Sequence, residues 1–236
     1  TVNLSDLFNL TLKGRSDEPA LEFRGSLFTF RDLDARSTRW ASYLHAQGFR
    51  PGNRLGVYLP NCVALIDVFV ACVKAGIIFT PINVLYRERE VSHILTDAEP
   101  CALLTNRDLS PNVPDGAVVW LLEEVAADVE AQPSEFPVHP SEGDATAALV
   151  YTSGTTGRSK GATITHNNFA ANATALNTCW RMSADDRMLL SLPLFHVHGL
   201  GNGVHTWLTT GYQMRLLDRF RKETILDELL DFRPTV

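Results

Sequence analysis

Residues 54–82, RLGVYLPNCVALIDVFVACVKAGIIFTPI, decide the fold class. LGVYL (55–59) is a short, unbroken apolar run, the pattern of a strand buried on both faces. Pro60-Asn61 ends it. Residues 62–75 are apolar nearly all round and too long for a strand, so they read as a buried helix closed by Gly76. IIFTPI (77–82) supplies the next strand. Strand, helix and strand at this spacing form a βαβ unit, which requires parallel strands joined by a crossover. A second unit follows at once: Val91, Ile94, Leu95 and Ala98 share one helix face, and CALLT (101–105) is the strand after it.

Upstream, ALEFRGSLFTF (20–30) reads as a hairpin, and Leu33, Trp40, Ala41 and Leu44 mark an amphipathic helix closed by Gly48. Downstream, VVWLL (118–122) reads as a strand. Prolines then accumulate and periodicity fades, so residues 126–143 are expected to be a surface linker. It would divide an N-terminal α/β subdomain, residues 1–143, from an incomplete second one, residues 144–236. The second begins with the strand TAALVY (146–151). A glycine-rich loop follows, then a short ATIT strand and a helix opened by Asn167 or Asn168. RMLLSL (187–192) and MRLL (214–217) are further strands flanking a helix near 199–209. Ile225, Leu226, Leu229, Leu230 and Phe232 form the apolar stripe of a last helix. The fold class is α/β, with parallel sheets flanked by helices.

Composition narrows the function. With 45% hydrophobic and 20% charged residues, the 236-residue chain is neither disordered, collagen-like nor a coiled coil. Lys plus Arg is 21 and Asp plus Glu is 27, a net charge of −6 with no basic block, which argues against nucleic acid as a partner. Residues 63–73 are cut by Asp67 and fall far short of the roughly 20 apolar residues of a membrane span. Cys62, Cys72, Cys101 and Cys179 lie within apolar runs without C-x-x-C spacing, as buried reduced thiols do, and TVNLSDLFNL has no signal-peptide pattern. The expected location is the cytoplasm. The chain starts at Thr1 without Met and stops at Arg233-Pro234-Thr235-Val236, where an apolar β pattern begins, so a fragment is expected.

The loop from Tyr151 to Gly161, YTSGTTGRSKG, gathers three glycines, a series of Ser and Thr hydroxyls and one lysine directly after a buried strand. Glycines permit close backbone approach, successive N–H groups form a nest for phosphate oxygens, hydroxyls add donors and Lys160 adds a point charge. A Walker A loop would place Gly before the lysine and Ser or Thr after it, whereas Ser159 precedes Lys160 and Gly161 follows. An ordinary P-loop NTPase is therefore disfavoured. Composition alone leaves a plain surface loop open. A second constellation is Phe195-His196-Val197-His198-Gly199. Its H-x-H pair lacks a third ligand at metal spacing, which leaves two satisfied core histidines or a pair that orients a carboxylate by donating hydrogen bonds. His45 and His93 fall on polar helix faces, His139 falls in the linker, and His166 and His205 read as structural. The glycines at 199, 201 and 203 lack the context of a dinucleotide loop and read as close helix packing.

Y-T-S-G-T-T-G-x-x-K-G resembles the phosphate-loop signature of the adenylate-forming acyl-CoA synthetases, the superfamily that also contains luciferases and peptide-synthetase adenylation domains. KAGIIFTPINVLY (74–86), Thr165-His166 and PLFHVHGLG (193–201) fall in the family's order, so the resemblance covers essentially the whole chain. Ser159 departs from it, standing where the family commonly has proline. The resemblance implies a two-step ligation of a small-molecule carboxylate, with ATP, Mg2+ and coenzyme A. It assigns Thr152, Ser153, Gly154, Thr155, Thr156, Gly157 and Lys160 to the β- and γ-phosphates, with Thr152 or Thr156 also touching Mg2+. It makes Lys160 and His198 catalytic, and places His196, His198 and Gly199 at the acyl pocket. HVHGL is most like malonyl-CoA synthetases, which implies malonate or another small acid; fatty-acid and aryl ligases carry similar segments. An amino-acid adenylation domain would usually show an F-D-x-S-like segment where HVHG stands, and a non-catalytic nucleotide-binding module is the alternative from another class. The family's Y-G-x-T-E motif, ribose-binding aspartate, hinge and C-terminal domain are not found in this sequence. The chain is thus expected to be the N-terminal part of an enzyme about twice as long, nearly inactive alone.

Overall fold

The computed structural model describes residues 2–152 and 159–236. In chain order its elements are α1 (Leu4–Leu12), β1 (Pro19–Phe23), β2 (Ser26–Thr29), α2 (Phe30–Ala46), β3 (Arg54–Tyr58), α3 (Val63–Ala75), β4 (Ile78–Pro81), α4 (Glu88–Ala98), β5 (Ala102–Thr105), β6 (Val119–Leu121), α5 (Leu122–Glu130), β7 (Thr146–Thr152), β8 (Lys160–Thr165), α6 (His166–Cys179), β9 (Arg187–Leu190), α7 (His205–Thr210), β10 (Gln213–Leu216) and α8 (Ile225–Phe232). Two sheets result. One runs β6-β5-β3-β4-β7-β8, parallel except where β8 returns antiparallel to β7. The other runs β2-β1-β10-β9, with the β1–β2 hairpin laid parallel onto β10.

The two βαβ units are as read from the sequence. Leu55 pairs with Phe79 on one side and Ala102 on the other, all parallel. Alternation along the strands then divides the interior. Val57 and Leu104 join the large core, which also holds Phe69 of α3, Phe8 of α1, Trp207 of α7 and Met214 of β10. Their neighbours Tyr58 and Leu103 face a smaller core under Val91, Ile94 and Ala98 of α4. The sheet is therefore covered on both faces, as a parallel sheet requires. Gly76 stops α3 in the left-handed region at φ 68°, its N–H bonding the Cys72 carbonyl. Lys74, almost fully buried, is satisfied by the Asp34 carboxylate at 2.6 Å and the Ser37 and Thr38 hydroxyls at 2.8 Å, which ties α3 to α2.

Three expectations need correction. The helix α5 runs on through residues 126–130, read as the start of the linker: Val125 and Val129, one turn apart, are buried, and Glu123 and Glu124 favour its N-terminus. Each sheet takes strands from both sides of residue 143. Of the four cysteines only Cys72 is buried; Cys62 is half-buried, while Cys101 and Cys179 sit at element ends in solvent. The stripe on α8 forms, but Leu226 and Leu230 are 69% and 74% exposed and only Phe232 is buried. Among the described residues no helix is long and apolar enough to cross a membrane.

Candidate functional site

The β7–β8 hairpin carries the glycine-rich loop. Its last cross-strand pairs are Tyr151 with Gly161 and Thr152 with Lys160. Thr152 and Lys160 thus stand opposite each other at the loop's base, both exposed. A Cβ at Gly161 would press to 2.9 Å from the Leu149 side chain and 3.1 Å from the Tyr151 ring, so the glycine lets both side chains lie close over β8. Ser153, Gly154, Thr155, Thr156 and Gly157 lie outside the described residues.

β8 leads straight into α6. Thr165 is the N-cap: its hydroxyl accepts the Asn168 N–H and the Asn168 side chain accepts the Thr165 N–H. Asn168, expected to open the helix, is the reciprocal half of this capping box, because the shorter hydroxyl side chain already fills the cap position. His166 is buried and accepts the Leu4 N–H at Nδ1, 3.2 Å, with its pKa lowered by burial. It anchors α6 to α1. Further along, Asn172 donates to the Asn202 side chain at 2.9 Å, and Phe169 stacks on His205 with ring centroids 4.0 Å apart. The helix launched by the hairpin therefore also braces the second motif.

That motif is held at both ends. Asn61, at the end of the β3 turn, donates to the Leu192 and Leu217 carbonyls at 2.9 and 3.1 Å and accepts the Leu194 N–H at 2.8 Å. Sequence reasoning took Asn61 only as a strand terminator, although it is 94% buried and ties residues 192–194 to the first sheet. Residues 198–204 wind as one wide π-helical stretch ahead of α7, where a plain helix was expected. Gly199 abuts the Pro193 carbonyl, and a Cβ there would collide with its oxygen. Gly199→Ala is expected to cost about 1–3 kcal/mol of stability. Gly201→Ala meets nothing nearer than 3.4 Å, so it is expected to be far milder, and urea unfolding of the two compares them.

His196 and His198 are both exposed, their rings nearly parallel at 13° with centroids 5.7 Å apart. The His198 N–H donates to His196 Nδ1 at 3.2 Å. An accepting Nδ1 carries no proton, so this geometry assigns the proton of a neutral His196 to Nε2 and leaves that N–H a donor. The structure thus sets Thr152 opposite Lys160 at the loop's base on β7 and β8, and His196, His198 and Gly199 on the segment that leads from β9 into α7, whose Asn202 and His205 are met by α6. A hydroxyl and an ammonium at the loop base fit a phosphate. For Mg2+ the pair offers one hydroxyl, which suits an ion that keeps water and phosphate oxygens as its other ligands. Among the described residues no three His, Cys, Asp or Glu side chains gather into a metal site.

The family described as AMP-binding enzyme matches residues 8–236. The chain belongs to the AMP-binding enzyme family. Feruloyl-CoA synthase of an Amycolatopsis species is 32% identical over 217 residues, covering 92% of this chain and 44% of that protein. Oxalate–CoA ligase of Arabidopsis thaliana is 28% identical over 253 residues, covering 98% and 49%. Among solved structures, ATP-bound MatB from Rhodopseudomonas palustris superposes with a TM-score of 0.84 at 32% identity, covering 96% of this chain and 48% of MatB. The fold is that of the N-terminal part of acyl-CoA synthetases, and the chain spans about half the length of the curated relatives it matches.

Proposed function

We propose that this chain is the part of an ATP-dependent acid–CoA ligase that grips the triphosphate and aims the carboxylate, with malonate or another small polar acid as substrate. The observation that carries the reading is the Thr152–Lys160 pair at the base of the glycine-rich loop. In the first step a carboxylate oxygen attacks the α-phosphorus of ATP. The bond to the bridging oxygen breaks, and pyrophosphate leaves with the electron pair. In the second, the sulfur of coenzyme A attacks the acyl carbon, AMP leaves, and the thiol proton passes to solvent.

Bringing a carboxylate to a triphosphate means bringing two anions together, so the site must neutralise charge and fix the approach. Lys160 meets the first need. The Thr152 hydroxyl and the loop residues 153–157 complete the phosphate cradle in this reading, Thr156 or Thr152 taking the Mg2+ contact. His196 meets the second need through Nε2–H, and His198 gates the acyl entrance beside Gly199. Two exposed imidazoles favour a small polar acid, because a hydrocarbon tail laid over them would strip water from their donors without replacing it.

Pyrophosphate release from Mg-ATP, measured for this chain and for a longer polypeptide carrying it, with malonate, oxalate, acetate, a medium-chain and a long-chain fatty acid and benzoate, tests the reading. Release driven by a small diacid supports it. Release driven only by fatty acids or benzoate moves the substrate class, and nucleotide binding without release under any acid leaves a binding module. His198→Ala is expected to slow adenylation on the order of 10²-fold with ATP affinity unchanged. An equal loss of ATP affinity would put His198 in the nucleotide site.

A further inference from the structure

α4 reaches across to both stems of the glycine-rich loop. His93 and Asp97 are one turn apart on α4 and so share a face. His93 Nε2–H donates to the Ser159 carbonyl at 2.8 Å, immediately before β8. The Tyr151 hydroxyl donates to the Asp97 carboxylate at 2.5 Å, at the end of β7. The His93 and Tyr151 rings meet edge to face at 6.4 Å. Residue 161 is glycine where the Tyr151 ring lies, so the hairpin itself makes room for this contact. Burial and the Asp97 charge hold the Tyr151 hydroxyl protonated well above its ordinary range, which keeps it a donor. His93, read from the sequence as lying on a polar helix face, instead bonds main chain 66 residues away.

We propose that His93, with Asp97 acting through Tyr151, is a positioning pair that fixes the two stems of loop 153–158 for phosphate binding. The inference rests on the reading of that loop as the triphosphate site. Neither residue touches the phosphate in this proposal. The pair sets the separation and tilt of Tyr151 and Ser159, and through them of Thr152 and Lys160 beside them, before the anion arrives. Preorganised donors bind an anion more tightly than donors that must first be ordered.

The test is ATP and inorganic pyrophosphate affinity by calorimetry for the chain and its variants, alongside thermal melting. His93→Ala and Tyr151→Phe are each expected to weaken binding about three- to tenfold, the share of one hydrogen bond, with melting little changed. His93→Gln is expected to recover most of the loss, because its amide N–H reaches the Ser159 carbonyl as Nε2 does. Asp97→Asn, which still accepts from Tyr151, is expected to bind nearly as the parent does. If the parent binds and both His93→Ala and Tyr151→Phe bind equally well, the positioning role is overturned while the phosphate reading stands. If melting falls and His93→Gln rescues neither property, the contact is structural and the proposal is likewise overturned. A parent that binds neither ligand overturns the phosphate reading, and this inference with it.

Discussion

Between pH 7 and pH 4 the stability of the Asp67→Asn variant is expected to fall behind that of the parent chain by about 3 kcal/mol. The reason lies in a buried carboxyl. Asp67 is fully enclosed on α3, and burial pushes its pKa up to about 6 although Arg36 bonds Oδ2 at 2.9 Å through Nε. Among the described residues its Oδ1 has no partner, so one half-exposed guanidinium does not repay the loss of water. The folded chain therefore keeps a proton on Asp67 between about pH 4 and 6 while the unfolded chain has released it. That contribution to stability is present in acid and lost as pH rises through about 6. Asparagine cannot gain it.

His205 works in the opposite sense. It is fully buried against Phe8, Phe69 and Phe169, donates Nδ1–H to the Leu200 carbonyl at 2.7 Å, and has no partner at Nε2 among the described residues. Burial pulls its pKa down to about 4 from 6.5. The unfolded chain protonates first, so stability is lost as pH falls from about 6.5 toward 4, again by about 3 kcal/mol. In the parent these two slopes oppose each other between pH 4 and 6, and buried His166, its pKa also lowered, adds to the His205 side in every variant alike. Asp67→Asn leaves the His205 slope bare, and His205→Asn leaves the Asp67 slope. The lowered carboxyls of Asp32, Asp186 and Asp218 lose their contributions in more acid solution and are common to all variants, so differences between chains isolate the pair. Urea midpoints at pH 4, 5, 6 and 7 decide it. Parallel pH profiles for the parent and Asp67→Asn would show that Asp67 is ionised throughout.

These two groups also mark where sequence reading stops. The βαβ units were legible because apolar runs, helix length and Gly76 act locally, each within one element. α5 was missed because prolines after residue 130 masked a helix that needs only Val125 and Val129 to dock on its neighbours. Asp67 reads as a break in an apolar run, and its pairing with Arg36 spans 31 residues. Asn61 bonds main chain 131 to 156 residues away and His93 66 residues away. A side chain that bonds a distant carbonyl leaves no periodic trace in the sequence, because any residue presents the same carbonyl. The glycine-rich loop, Lys160 and the histidine pair stand out in the sequence for the converse reason, because the chemistry proposed for them is carried by residue type within a few positions.

Lys160→Ala is expected to weaken binding of ATP or pyrophosphate about ten- to a hundredfold, the effect of losing one charge-assisted contact of about 1.5–3 kcal/mol. The residue starts β8, is exposed, and makes no ion pair among the described residues, so its ammonium remains available to an incoming anion. Stability is expected to move by no more than about 0.5 kcal/mol, because an exposed side chain without such contacts contributes little to folding. Lys160→Arg is expected to recover part of the affinity: the charge returns, but a planar fork replaces a compact point charge. Raising the salt concentration is expected to weaken the parent more than the alanine variant, since only the parent has this charge to screen. Calorimetric affinities at two ionic strengths, with a urea melt of each variant, check all four statements. Unfolding of Lys160→Ala would make the lysine a structural part of the hairpin. Unchanged affinity and salt dependence in a folded Lys160→Ala would remove it from the phosphate site.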